Sequence, residues 1–443
     1  MDLPLRTSRP PRARHAVVLG LAAVSPASSV FVALVPVAAA LGAASVPAFL
    51  LTIPVAVLVA MSYARVSANI PVNGGESAWA TKALGPVAAA GVFVLAMTTL
   101  SLVLALFLEA AASLVLPTAP RAPAIALVGA ALTLVAGAGL RLAVWLSLLC
   151  LALEVAVLGA VTLQTLRLPG PGDLAGVVRS CAHTGVDQTS LATLLTVPVV
   201  LFALNGYGQT AYVVEEVVDG ARRTATIIYT TLALTIVLEG VPLAVLGCAT
   251  TVGRLTLSSD QPLLDLLEAT AHAKWQAESI RWAIAVALLN AILAVLIYGS
   301  RMLAAFAAGR QRSIALRRSS RADRPGESRR ATAVVGAAVV LIAITTPTSA
   351  LITATGSSLL FIYSAVAACA IAISTRARPG SASSQVAPVL LLATMGVMIT
   401  HALVTDPVSV GVALVLLATG STWFWLWISA PRPPSSGQGE RQG

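Results

Sequence analysis

Apolar runs long enough to cross a bilayer follow one another along almost the whole chain, and they dictate what it can fold into. They fall at about 16–41, 46–67, 87–115, 123–140, 143–166, 190–215, 225–250, 281–305, 332–352, 355–375, 386–404 and 408–429. A helix needs roughly 20 apolar residues to span the hydrocarbon layer. Inside that layer every backbone N–H and C=O must find a partner within the segment, which leaves the helix as the form for runs of this kind. The expectation is an all-α membrane protein with about twelve transmembrane helices. Composition agrees: 57% of residues are apolar and 10% charged, whereas soluble domains carry about 25% charged residues. The narrowest separation lies between the fourth and fifth runs, at Gly139, Leu140 and Arg141.

Charge sets the expected orientation. With the N-terminus inside, 22 of the 28 lysines and arginines fall on the inner face, as the positive-inside rule requires. The same distribution argues against nucleic acid as the partner of a chain with net charge +10, because the basic residues sit in short loops between apolar runs. The basic start RTSRPPRARH could mimic a secretory leader, but the run behind it is long enough to span, so it is expected to be an uncleaved first helix. Residues 1–15 are then a cytoplasmic tail. Residues 16–375 form a ten-helix transport core, 386–429 two additional helices, and 430–443 a disordered cytoplasmic tail. The loop at about 307–331, RQRSIALRRSSRADRPGESRR, reads as a solvated inner loop able to touch anionic lipid. DQPLLDLLEATAHAKW in the outer loop 252–280 reads as a short surface helix, and Trp423, Trp425 and Trp427 as an interfacial aromatic belt.

Catalytic and metal chemistry find no pattern. Cys150, Cys181, Cys248 and Cys369 make no C-x-x-C pair, and three of them lie inside apolar runs, so no disulfide framework is expected. The four histidines have no ligand spacing, and no Ser/His pair or acid pair suggests an intramembrane enzyme. No cofactor is called for.

Two of the runs are interrupted. The first contains VSPASSVF, where Pro26 lacks an N–H and Ser25, Ser28 and Ser29 place hydroxyls at membrane depth. The sixth contains FALNGYGQT, where Gly206 and Gly208 favour unwinding and Asn205 adds an amide. Irregular backbone at that depth is tolerated where it is buried in protein or lines a cavity. Interruptions at matching places in two halves are the best sequence pointer to a transporter's binding site. Runs one and six match if the halves, about 16–166 and 190–375, are inverted repeats of five helices each. Freed N–H groups at a positive helix end suit a substrate carboxylate, and freed carbonyls suit an ammonium. The competing reading is that each interruption is only a packing kink, the role assigned to Pro36, Pro54 and Pro198.

The connection SYARVSANIPVNGGESAWATKALGP (62–86) resembles the cytoplasmic signature of the amino acid–polyamine–organocation (APC) superfamily of permeases, with Pro71, Gly74, Gly75, Trp79, Leu84, Gly85 and Pro86 in place. YVVEEVVDGARRT resembles that family's acidic run with a following base, through Glu215, Glu216 and Arg223. GSRMLAAFAAGR resembles its eighth-helix exit, through Ser300, Arg301 and Arg310. The resemblance implies the inverted-repeat fold of the sodium-coupled leucine transporter, with discontinuous helices 1 and 6. It also implies alternating access and an amino acid or related amine as substrate. It places the substrate against Ser25, Pro26, Ala27, Ser28, Ser29, Phe202, Asn205, Gly206, Tyr207 and Gly208, with Phe202 where the family often sets an aromatic gate. The first interruption departs from the family's Gly-rich form. Tyr207 and Gly208 stand where exchangers of cationic amino acids often carry an acid.

Three acids lie inside runs: Glu109, Glu154 and Glu239. Ionisable groups there are functional candidates by default. Glu154, near the middle of the fifth run, is the coupling candidate: a carboxyl that gains and loses a proton would tie transport to the proton gradient. Its competing role is that of a hydrogen-bonded structural acid. Glu109 lies near an outer end, within reach of the interface, and Glu239 is expected to pack against a helix break. The eighth run offers Asn290 and Ser300 but no central Ser/Thr pair for a sodium cage, which ranks proton coupling or exchange first. Arg65, Glu215 and Glu216 are candidates for an inner gate, or are ordinary helix-end charges. The expected function is a secondary active transporter of amino acids or related amines in the plasma membrane, with both termini cytoplasmic. A carrier of another small organic solute on the same fold is the alternative. A major-facilitator carrier is disfavoured, since its long loop would follow the sixth helix, and a sensor without transport is the remotest option.

Overall fold

The computed structural model describes residues 13–71, 75–138, 141–168, 196–208, 220–258, 262–271, 273–312, 325–377 and 385–429. All regular structure among them is helical. The first expected run is α1 (Ala13–Val24), α2 (Pro26–Ser29), a π-helical turn (Val30–Leu34) and α3 (Val35–Leu41). A 3₁₀ turn at Gly42–Ala44 leads into α4 (Ser45–Asn69). Then come α5 (Gly75–Ala83), α6 (Pro86–Val115), α7 (Arg121–Ala138) and α8 (Arg141–Arg167). They are followed by α9 (Val197–Ala203), α10 (Gly220–Thr251), α11 (Pro262–Thr270) and α12 (Lys274–Arg312). The chain closes with α13 (Pro325–Thr345), α14 (Thr348–Ala377), α15 (Val386–Thr405) and α16 (Pro407–Ser429). Proline opens many of these helices, at the position where a missing N–H costs nothing.

Eight helices among the described residues are long and apolar enough to cross a membrane. Of the twelve runs read from the sequence, half of the sixth lies outside the described residues, and the ninth, in α13, is not among the eight. The first two runs continue as one apolar stretch, Gly20–Asn69, bent at Gly42–Ala44, and Arg121–Gly137 is shorter. The expected surface helix is α11; it buries Leu266 and Leu267, while the Ser258 hydroxyl and amide beside Asp265 hold that carboxyl below its ordinary range. Unexpected in the sequence was α5, a helix inside the connection between α4 and α6.

Burial ranks the helices. α6 is mostly enclosed, packed by α5, α12, α13, α14 and α16. α15 and α16 expose most of their apolar side chains, Val404 by 81%, as lipid-facing helices do. α16 docks on α6 through small residues: a Cβ on Gly420 would meet the Ala90 carbonyl at 2.7 Å, and one on Gly91 the Leu417 carbonyl at 2.6 Å. Such close approach is how helices associate where lipid removes the hydrophobic drive. The expectation of no disulfide is corrected: Cys248 is disulfide-bonded, while Cys150 and Cys369 are free and buried. Cys248 sits one turn from the end of α10, out of the middle of its apolar run, where a covalent partner can reach it.

Candidate functional site

The first break is a single residue in the left-handed region. Ser25, at φ 49° and ψ 73°, is the only non-glycine with positive φ among the described residues. That conformation costs an L-residue about 1–2 kcal/mol. It turns the chain so that Pro26 restarts the helix. Side-chain bonds offset the strain. The Ser25 hydroxyl donates to Glu154 Oε2 at 3.0 Å. It lies 2.6 Å from Ser28 Oγ, so with its one proton already given, Ser28 is the donor in that pair. The Ala27 amide and the Asn290 side chain also face the Glu154 carboxyl. Glu154 on α8 therefore sits at the restarted end of the first helix, where freed N–H groups favour an anion. The π-helical turn immediately after, Val30–Leu34, is a second irregularity of a kind common at functional sites.

The second break is built from glycine and aromatics. α9 ends at Ala203, a turn carries Leu204 to Gly206, and Tyr207 and Gly208 form a short 3₁₀ segment. Gly206 has φ 122°, closed to side chains, and a Cβ there would lie 2.8 Å from Val24 Cα. The two interruptions thus touch: the glycine of one rests on the last residue of α1 before Ser25. Around them the Tyr207 hydroxyl donates to the Ala56 carbonyl at 3.1 Å, and the Tyr363 hydroxyl to Asn205 Oδ1 at 3.1 Å. A Cβ on Gly208 would meet the Tyr63 ring at 2.6 Å. Phe202 is buried beside Phe107 of α6, ring centres 6.4 Å apart.

Ser25, Pro26, Ala27, Ser28, Ser29, Phe202, Gly206, Tyr207 and Gly208 are all buried, and Asn205 is half-buried. Glu154 joins the first break directly. Arg65 does not meet an acid among the described residues; its Nη1 donates to Ser374 Oγ at 3.3 Å. Glu215, Glu216 and Gly74 lie outside the described residues. Glu109 is an anchor: Arg121 Nε pairs with it at 2.7 Å while the guanidinium donates to the carbonyls of Ala343, Ile344 and Thr346 at the end of α13. Glu239 is fully buried on α10 and faces Ser29.

Tyr63, Glu76 and Tyr363 carry no sequence signal of a site role, whereas Trp79 belongs to the 62–86 signature. The Tyr63 hydroxyl donates to Glu76 Oε1 at 2.5 Å, with Trp79 edge-on to Tyr63 at 5.5 Å and Tyr363 at 6.4 Å. This buried chain links α5 to Asn205 through α4 and α14. Its members are separated by up to hundreds of positions, and a polar residue on a mostly apolar helix looks alike whether it meets a partner or not.

Hydroxyls, amides, freed backbone groups and carboxyls line the two breaks, with no basic side chain among the described residues there. Such a set suits a small polar solute with a cationic group. Residues 16–430 match the profile of a family described as amino acid permease. The chain is similar to proteins named uncharacterized transporters in Mycobacterium bovis and in Mycobacterium tuberculosis, 30% identical over 312 residues, which is 70% of this chain and 68% of theirs. Its fold is similar to that of a Na⁺-coupled sialic acid symporter solved in a substrate-bound outward-open state. The TM-score is 0.58 at 13% identity, over 86% of this chain and 89% of that one. The protein is a multi-pass membrane transporter, and the chain belongs to the amino acid permease family of the APC superfamily.

Proposed function

We propose that this permease moves amino acids or related amines across the plasma membrane by alternating access, with both termini in the cytoplasm. Twelve spans make up the molecule. Ten of them, within 16–375, form two inverted repeats of five, about 16–166 and 190–375, and 386–429 adds two peripheral helices. The solute binds between Ser25–Ser29 and Phe202–Gly208. The observation that carries this reading is the contact of the two breaks, Gly206 against Val24. Contact between the two interruptions supports a shared midplane site, which would need both of them on its lining. Glu154 couples transport by carrying a proton, and its release from the Ser25 hydroxyl would let α2 move relative to α1. Arg65, Glu215 and Glu216 close the inner side.

Uptake of a radiolabelled amino-acid mixture and of labelled amines into proteoliposomes tests this function. The wild-type protein accumulates label, and Gly206→Val abolishes accumulation while the protein still inserts. Uptake that persists in Gly206→Val removes the sixth-helix site from the account.

A further inference from the structure

Glu239 is a second buried acid at the first break, carried by a different helix from Glu154. It lies on α10, whereas Glu154 lies on α8, and both helices pack against α1 and α2. Its side chain is completely enclosed, and by geometry neither carboxyl oxygen has a hydrogen-bond partner among the described residues. The Ser29 hydroxyl faces it and is the one donor close by, shared with the Val24 carbonyl at a long 3.4 Å. Two buried threonines share its face of the helix, Thr235 one turn away and Thr231 two turns away, at the i, i+4, i+8 spacing of one stripe.

These threonines are unlike the others. Buried threonines elsewhere donate to the carbonyl of the preceding turn: Thr52 to Ala48 at 2.8 Å, Thr99 to Leu95 at 2.9 Å, Thr162 to Leu158 at 2.6 Å and Thr355 to Leu351 at 2.7 Å. Thr231 and Thr235 make no such bond, and among the described residues their hydroxyls have no partner. A carboxyl and two hydroxyls, all enclosed and all unspent on one stripe, are expensive in apolar surroundings and call for something that comes and goes.

The groups around Glu239 narrow what that is. The elements packed against α10 carry Arg14 and His15 on α1, Tyr63 and Arg65 on α4, and Arg141, Cys150, Glu154 and Arg167 on α8; α2, the π-helical turn and α3 carry no titratable group. The arginines and His15 stand near helix ends, and among the described residues no ion pair reaches Glu239. With no counter-charge and only one shared hydroxyl beside it, a bare carboxylate is costly there and the protonated acid is favoured. We propose that Glu239 is a second proton carrier, distinct from Glu154, reached from the Gly220 end of α10 along the Thr231–Thr235 stripe. A proton binds a Glu239 oxygen from water on one side and leaves to water on the other, with no other bond changed. The inference rests on the transport reading above and raises its coupling to two protons per cycle.

Steady-state accumulation reports stoichiometry and is independent of turnover. In proteoliposomes clamped at zero membrane potential, with a gradient of one pH unit and the labelled amino-acid mixture, two coupled protons support about hundredfold accumulation and one about tenfold. Wild type should reach the higher ratio, and Glu239→Gln and Glu154→Gln each the lower one. A Glu239→Gln protein that accumulates like wild type overturns the proposal. Carbodiimide labelling of the wild-type protein, read by mass spectrometry, needs neither substrate nor a folded variant, because the reagent modifies acids that are protonated in apolar surroundings. An adduct on Glu239 that fades as pH rises supports the proposal even if no amino acid is transported. Absence of that adduct overturns it.

Discussion

The break in the first helix and the break in the sixth reach the same end by opposite means. The first uses a residue that dislikes its conformation, Ser25 at φ 49°, and compensates through hydroxyl bonds to Ser28 and Glu154. The sixth uses a residue indifferent to its conformation, Gly206 at φ 122°, and holds the turn by packing against Val24 and by the Tyr363–Asn205 bond. A break made by hydrogen bonds can be released when a bond changes hands. A break made by steric fit holds its shape until its neighbours move. In the proposed transport cycle the first helix would be the part that switches and the sixth the part it works against.

Substitutions can break that contrast. The largest effect is expected at Gly206→Ala. Positive φ and a Cβ 2.8 Å from backbone atoms together cost about 3 kcal/mol or more, read as a lowered melting temperature in detergent. A melting temperature near that of wild type would show that the sixth helix is not held by fit. Gly208→Ala meets the Tyr63 ring, a side chain rather than backbone, so about 1–3 kcal/mol is expected. Ser25→Ala keeps the strained backbone and leaves Glu154 without its serine donor, a loss of about 1–3 kcal/mol. Ser25→Gly loses the same bond but relieves the strain, so it should be more stable than Ser25→Ala by about 1 kcal/mol. Equal melting of the two variants would mean that Ser25 is not strained. The smallest effect, about 1 kcal/mol, belongs to Tyr363→Phe, which removes one hydrogen bond to Asn205.

The all-helical, membrane-spanning character was legible in the sequence because bilayer length and hydropathy act on every residue of a run. The breaks were legible too, since proline, glycine and clustered serines have local conformational consequences. Glu154 could be singled out as a lone acid in an apolar run, but its meeting with Ser25 could not. That pairing joins positions 129 apart, and no local rule sets which faces of α1 and α8 turn together. Glu76 was hidden for a different reason. It sits in a connection that reads as a loop, and only the folding of α5 beneath Tyr63 encloses it. Glu239 was visible as an acid, while the idle hydroxyls of Thr231 and Thr235 that give it significance appear only when each hydroxyl is followed to its partner.

The account stands or falls on where the transported molecule sits. A cryo-electron-microscopy map of the protein in lipid nanodiscs, with the solute identified by uptake, measures this directly. The prediction is ligand density touching both Ser25–Ser29 and Asn205–Gly208, with the chain turned at Ser25. Density elsewhere, or a first helix that runs straight through Ser25, would contradict it.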